Sequence, residues 1–241
     1  MLTLGEPPPT QADLHFRLFG IPVRVHPLFW VITLLLGLGG SGDADPVPVL
    51  IWVVVVFVSI LVHEFGHALT QRYFRGHPWV TLYSFGGLAS CNDCERSPRA
   101  QLLISFAGPL AGFLFAGVVV LGLIALRRFQ GFELDWIPVR WDLFDSWLDI
   151  AIFYLLFVNI IWGLVNLLPI YPLDGGQIAR ELFTLGNPRK GIIQSLQLST
   201  GAAALVAVYA LSQREIFLCI MFGVLAYGSF QTLQRYRDRS Y

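Results

Sequence analysis

The residues of this sequence best suited to chemistry are His63, Glu64 and His67, which form the pattern H-E-x-x-H. On a helix, side chains four positions apart lie on one face, so the two imidazoles can bind one metal ion. Zinc lowers the pKa of a bound water to about 7, and a nearby carboxylate can accept its proton as the hydroxide attacks a carbonyl. The pattern therefore predicts zinc-dependent hydrolysis, with Glu64 as the base.

The alternative is that these three residues are core side chains of a helix bundle, paired with polar neighbours. They lie near the end of the apolar run VLIWVVVVFVSILV. A charged residue at the centre of a membrane helix costs about 2.5 to 3.5 kcal/mol even on the gentler insertion scales, so function is the default interpretation of such a residue. We therefore favour a metal site.

A catalytic zinc ion usually has three protein ligands, so a third ligand is expected. His77 and Glu95 are the nearest candidates in sequence, but neither has a familiar spacing from His67. Asp174 lies in the segment NLLPIYPLDGG, where prolines interrupt a helix and glycines allow close backbone approach. We expect Asp174 to be the third ligand; the alternative is that it caps the helix GQIARELF that follows.

The composition places these residues in a membrane. Of the 241 residues, 55% are hydrophobic and 13% are charged, against about 25% charged in soluble domains. The formal net charge is zero, which gives no reason to expect a nucleic-acid partner. The sequence thus predicts an all-α polytopic membrane protein embedded in a lipid bilayer, with about six transmembrane helices near residues 27–40, 48–71, 101–126, 148–168, 192–211 and 215–231.

The basic residues predict the orientation of these helices. With the N-terminus inside, most of the 16 Lys and Arg residues fall on the cytoplasmic side, as the positive-inside rule requires. We therefore expect a multi-pass protein of a bacterial plasma membrane with both termini and the metal site toward the cytoplasm. The organisation is a cytoplasmic segment over 1–26, a transmembrane domain over 27–231 and a cytoplasmic tail over 232–241.

A small β element is predicted between the second and third helices. The segment WVTLYSFGGLAS contains two β-prone runs around Phe85, Gly86 and Gly87, a pattern typical of a hairpin, although a plain loop is the alternative. A helical substrate hides its carbonyls in its own hydrogen bonds and must unwind before hydrolysis. The hairpin could bind the unwound substrate by strand addition, so these three residues are candidate substrate-binding residues.

Several motifs together resemble the site-2 protease family of intramembrane zinc metalloproteases. They are HEFGH, the hairpin residues Phe85-Gly86-Gly87, FAGPLAGF, Asn159 and NLLPIYPLDGG. The resemblance covers roughly residues 48–180, the expected catalytic core. It implies cleavage of transmembrane or membrane-proximal segments of membrane proteins, with one zinc ion per chain held by His63, His67 and Asp174.

The resemblance also implies that Asn159 holds the substrate near the metal. The alternative is that Asn159 and Asn166, on nearly the same helix face, join helices by hydrogen bonds. The sequence departs from the family at Gly112, where many relatives carry Asn. With Gly108 it forms a G-x-x-x-G stripe, which predicts close helix packing.

Two other classes of function compete with this interpretation. The first is a non-proteolytic membrane protein that binds or transports a metal, and the second is an inactive relative that binds membrane helices. Glu64 favours a protease, because a metal conduit needs no base beside its ligands. Whether the protein has a regulatory membrane partner is left open. The sequence does not predict the oligomeric state, the substrate or any role of Cys91 and Cys94 beyond that of loop residues.

Overall fold

The structure of the protein, a computed structural model, describes residues 6–40, 46–84, 86–130 and 147–238. The chain divides into two compact units. The first comprises residues 1–94 and 110–163, and the second comprises residues 95–109 and 164–241. The described part of the chain is mostly helical, as the composition predicts.

The described ranges contain eight α-helices and one π-helical turn. They are α1 (Pro27–Gly40), α2 (Pro46–Tyr73), α3 (Pro98–Gln130), α4 (Trp147–Phe157), a π-helical turn (Val158–Trp162), α5 (Gly163–Asn166), α6 (Asp174–Thr184), α7 (Pro188–Ser212) and α8 (Ile216–Asp238).

Five helical segments in the described ranges are long and apolar enough to cross a membrane. They are Pro46–Tyr73, Pro98–Ala125, Trp147–Asn166, Pro188–Ser212 and Ile216–Asp238, close to five of the six spans predicted from the sequence. The other predicted span is α1, which has 14 residues, whereas a spanning helix needs about 20. The chain is an integral membrane protein with five candidate spans, and a sixth stays a prediction.

The β element is a four-stranded sheet in the order β1-β2-β3-β4. Its strands are β1 (Leu14–Leu18), β2 (Ile21–Val25), β3 (Trp79–Tyr83) and β4 (Gly86–Ser90). β3 and β4 pair antiparallel between α2 and α3. β2 pairs with β3 in parallel and with β1 antiparallel. The two N-terminal strands were not predicted, and β4 is an edge strand of this sheet.

The sheet of the first unit packs over the end of α2 that carries the H-E-x-x-H motif. In β2, Ile21, Val23 and Val25 are buried while the residues between them are more exposed, the alternation expected of a half-buried strand. These side chains share one hydrophobic cluster with Phe65 and Ala68 of α2. The cluster fixes the sheet and the motif-bearing helix relative to each other.

In the second unit, the loop between α5 and α6 is fastened to the last two helices. The Tyr171 backbone N–H donates to Ser199 Oγ of α7 at 3.0 Å. Ser229 Oγ of α8 donates to the Tyr171 carbonyl at 3.1 Å. Ile170 is fully buried in a cluster with Ala203 and Phe222 of the same two helices. The residues that precede Asp174 are therefore held by both hydrogen bonds and packing.

The segment before β1 is tied to the sheet by Glu6. Its Oε1 atom accepts hydrogen bonds from Thr81 Oγ1 at 2.6 Å and from Arg24 Nη2 at 2.9 Å, and its Oε2 atom accepts one from Trp79 Nε1 at 3.2 Å. Although partial burial pulls the pKa of Glu6 upward, the hydrogen bonds from Thr81 and Trp79 and the positive charge of Arg24 hold it below its usual value. The ionised carboxylate thus stabilises the pairing of β2 and β3.

We expect Glu6→Gln to lower the free energy of unfolding by about 0.2 to 1 kcal/mol at pH 7, because Glu6 is exposed and solvent screens its interaction with Arg24. Because the folded-state pKa of Glu6 is lowered, its stabilisation is complete above the unfolded-state pKa and is lost as the pH falls through the folded-state pKa. Thermal unfolding in detergent should therefore show a difference between wild type and variant at pH 7 that shrinks below about pH 4. The control is Glu215→Gln, at an exposed carboxylate in the α7–α8 turn. A difference that is the same at both pH values would contradict the assignment.

Candidate metal centre

His63 and His67 lie one turn apart on α2 and are buried, with 8% and 7% of their surfaces exposed. Their Nε2 atoms are 3.2 Å apart. Two nitrogens that bind the same zinc ion at about 2.0 to 2.1 Å in tetrahedral geometry lie roughly 3.3 to 3.4 Å apart. The separation of the two Nε2 atoms is therefore close to that expected of two ligands on one zinc ion.

Glu64 is buried between these histidines, with 6% of its surface exposed, and it faces the backbone of β4. A Cβ atom added at Gly87 would lie 2.7 Å from both Cδ and Oε1 of Glu64, so only a glycine fits beside this carboxylate without displacing it. At Gly86 an added Cβ would have no atom within 4 Å. Phe85 lies outside the described residues. Of the other two predicted hairpin residues, Gly87 lies against Glu64, whereas Gly86 does not.

A second contact fixes β4 beside α2. Gln71, two turns beyond His63, donates from Nε2 to the Ala89 carbonyl of β4 at 3.1 Å.

Ser59, one turn before His63, is also buried. Neither Ser59 nor Gln71 was predicted as part of the site, although a signal was present in the sequence. Ser59, His63, His67 and Gln71 recur every four residues and form one polar stripe along an apolar helix.

Asp174 lies in the second unit as the first residue of α6. Leu173 is the N-cap and forms no side-chain capping bond, so the alternative of Asp174 as the cap is wrong. An added Cβ at Gly175 would overlap the Leu167 carbonyl, and one at Gly176 would lie 2.5 Å from the Tyr171 nitrogen. The first turn of α6, which begins at Asp174, thus packs directly on the backbone of the preceding loop. This packing sets the position of Asp174 within the second unit.

Asn159 is in the π-helical turn and has 4% of its surface exposed. Its Nδ2 group donates to Ser59 Oγ and to the Leu155 carbonyl, both at 2.8 Å. Its Oδ1 atom has no hydrogen-bond partner among the described residues. An added Cβ at Gly112 would lie 3.4 Å from that oxygen, so α3 comes close to Asn159 at Gly112, consistent with the predicted packing role of this glycine.

Comparison with known proteins identifies the family. The model of peptidase family M50 matches residues 51–133 and 139–208. The chain belongs to peptidase family M50. The M50 match includes the H-E-x-x-H motif of α2, the π-helical turn and Asp174.

Individual proteins are also similar to this chain. A zinc metalloprotease of Methanocaldococcus jannaschii is 24% identical over 221 residues, which are 90% of this chain and 59% of that protein. Stage IV sporulation protein FB of Bacillus subtilis is 27% identical over 230 residues, which are 92% of this chain and 68% of that protein. This chain therefore spans about three fifths to two thirds of the length of these two relatives.

A solved structure shows the same fold. The site-2 protease from Methanocaldococcus jannaschii superimposes with a TM-score of 0.60 and 22% sequence identity, over 92% of this chain and 95% of that chain. M50 membership, and relatives named as zinc metalloproteases, imply that zinc is the metal of this family. Among the described residues, His63 and His67 of the first unit offer buried imidazole nitrogens, and Asp174 of the second unit offers a carboxylate; zinc binds both kinds of ligand.

Proposed function

We propose that this protein is a zinc endopeptidase that hydrolyses peptide bonds in or near the transmembrane segments of membrane proteins, as in regulated intramembrane proteolysis. The observation that carries the proposal is the pair of buried imidazoles with Nε2 atoms 3.2 Å apart, on a 28-residue apolar helix that also buries Glu64 between them. Polar groups this costly inside a membrane helix are retained for function.

His63, His67 and Asp174 would hold one zinc ion. The His63–His67 separation supports the first two ligands, and the match of the Pro-Leu-Asp-Gly-Gly segment to the family supports the third. When bound, zinc supplies an acidified water and polarises the substrate carbonyl.

Glu64 would accept the proton of the attacking water and deliver it to the leaving amine. Its carboxylate lies one residue from His63 and three from His67, on the same buried part of α2. Gly87 packs against this carboxylate, so β4 limits the positions that the carboxylate can adopt. A general base held in place in this way typically contributes about 10²- to 10⁴-fold to the rate.

The substrate would be held as an extended strand along β4. This strand pairs with β3 on one side and is at the edge of the described sheet, so its other side can add a strand. Such pairing would replace the backbone hydrogen bonds that a helical substrate loses when it unwinds. Gly86 and Gly87 would lie in this contact, and Phe85 is proposed with them from the sequence alone.

Asn159 would position the substrate through its Oδ1 atom. Both hydrogens of its amide group are already used in bonds to Ser59 and Leu155, so the amide cannot donate to a developing oxyanion. The remaining oxygen can accept a backbone N–H of an extended peptide. The bond to Ser59 also joins α2 to the π-helical turn, so Asn159 has a packing role whether or not it binds substrate.

The proposed orientation places both termini and the metal site toward the cytoplasm of a bacterial plasma membrane. This follows from the basic residues, most of which lie on that side when the N-terminus is inside and α1 is a sixth span. The partners are the lipid bilayer and a transmembrane substrate, whose sequence and cleavage site are to be found experimentally.

Glu64→Gln is expected to reduce cleavage by at least about 100-fold, because the amide cannot accept the proton, while zinc stays bound to the unchanged ligands. The assay is co-expression with a panel of tagged single-span membrane proteins, followed by detection of fragments and by measurement of zinc in the purified chain. Glu215→Gln is the matched control and should cleave as wild type does. Cleavage that persists in Glu64→Gln would contradict a catalytic base at this position, and so would a panel in which wild type and variant give the same fragments.

The two hairpin glycines provide a second test of the site. Gly87→Ala should reduce cleavage about 10-fold or more with zinc retained, because the added methyl would displace the Glu64 carboxylate. Gly86→Ala should lose less than Gly87→Ala, because its methyl enters open space and leaves in place the backbone groups proposed to pair with the substrate. The measurement is fragment yield with the same substrate at equal protein level. Equal losses in both variants, or a larger loss in Gly86→Ala, would show that Gly87 does not act through Glu64.

A further inference from the structure

A second group of metal-ligand atoms lies in the loop that joins β4 to α3. One ligand atom each from Cys91, Asp93 and Cys94 lies within 4.8 Å of the others. The structure joins the two cysteines in a disulfide with a Cα–Cα separation of 5.7 Å. The loop is distinct from the motif on α2, and the proposed peptidase reaction uses none of these residues.

The sulfur atoms of Cys91 and Cys94 lie against the backbone of Gly76, just after the end of α2. An added Cβ at Gly76 would overlap the Cys94 sulfur and would lie 2.6 Å from the Cys91 sulfur. The Gly76 N–H donates to the Gln71 carbonyl at 3.0 Å, which closes the last turn of the helix. The absence of a side chain at Gly76 leaves space for both sulfurs.

Asp93 is oriented by its neighbours. The His77 backbone N–H donates to Asp93 Oδ1 at 2.9 Å, and His77 Nδ1 lies 2.5 Å from Oδ2. The Cys91 sulfur is 3.3 Å from Oδ1. Carboxylates that bind a metal ion are themselves commonly hydrogen-bonded by neighbouring residues.

We propose that, in the reduced chain, Cys91, Cys94 and Asp93 bind a second zinc ion, with His77 orienting the Asp93 carboxylate. Zinc binds thiolate sulfur at about 2.3 Å and accepts a carboxylate oxygen as a further ligand. A C-x-x-C pair in a reducing compartment more often binds metal or acts in catalysis than forms a structural disulfide. In the orientation proposed above this loop faces the cytoplasm, so this part of the inference rests on the proposed function.

The two states of the cysteines differ by two electrons and two protons. A cellular dithiol that reduces the Cys91–Cys94 bond becomes a disulfide itself and leaves two thiols on the chain. Zinc binding then releases both thiol protons and forms two zinc–sulfur bonds. In either state the loop after β4 is held at the end of α2, whereas reduction without metal would release it. The ion would thus support the strand that carries Gly87 to Glu64.

Cobalt(II) is the probe that separates this site from the one on α2. The full-length chain, purified in detergent without metal and reduced with a phosphine, is titrated with Co²⁺. A thiolate–cobalt charge-transfer band reports sulfur ligands, which the set His63, His67 and Asp174 lacks. Wild type should show the band. Cys91→Ser with Cys94→Ser should lose it, and the matched control Cys219→Ser, at a free cysteine of α8, should keep it.

Two further variants complete the test. His63→Ala with His67→Ala should retain the band, so a failure of the peptidase assignment cannot be mistaken for a failure of this one. Asp93→Asn keeps both thiols and should weaken Co²⁺ binding about 10-fold or more. A reduced wild type without the band, or a band that survives loss of Cys91 and Cys94, would overturn the second site. An unchanged affinity in Asp93→Asn would remove Asp93 from the ligand set and overturn the proposal as stated.

Discussion

The rest of the structure depends on keeping polar side chains inside an apolar helix. In α2, Ser59, His63, His67 and Gln71 form a buried stripe, with Glu64 beside it. Each such group is costly in a membrane unless a partner satisfies it. Neighbouring elements supply these partners. Asn159 of the π-helical turn donates to Ser59, and the Ala89 carbonyl of β4 accepts from Gln71. The π-helical turn and the edge strand of the sheet are thereby drawn to the motif, and β4 brings Gly87 against Glu64.

Sequence reasoning succeeded where the signal is local. The H-E-x-x-H spacing places two imidazoles on one helix face, and the structure has their Nε2 atoms 3.2 Å apart. Long apolar runs likewise located five helices of spanning length. The strands β1 and β2 were not predicted, although they form a local hairpin whose turn residues Phe19 and Gly20 both have positive φ. The parallel pairing of Val23 in β2 with Val80 in β3 joins residues far apart in the chain. The bonds from Thr81 to Glu6 and from Asn159 to Ser59 also join distant residues, and no local pattern encodes them.

In the second unit, too, the sequence predicted the local structure only in part. Pro172, Gly175 and Gly176 correctly indicated a helix break with close backbone contacts, yet the residue at the cap is Leu173 and not Asp174. The observed cap is thus one residue before Asp174, and the start of the helix depends on how the Gly175 and Gly176 backbones pack on the loop before them. Around Cys91 and Cys94, the sequence indicated only loop residues. The contact of both sulfurs with Gly76 depends on the turn after α2, which the spacing of the cysteines does not reveal.

The most direct measurement of the central claim is the zinc affinity of Asp174→Ala, determined in detergent by competition with a chelator after the thiols are blocked. The account predicts a loss greater than the roughly 10- to 100-fold typical of changes beyond the ligands themselves, with the melting temperature of the metal-free chain unchanged. Asp238→Ala, at the end of α8, should bind zinc as wild type does. Wild-type zinc affinity in Asp174→Ala would contradict the account, because the two imidazoles of α2 would then hold the ion without the carboxylate from α6.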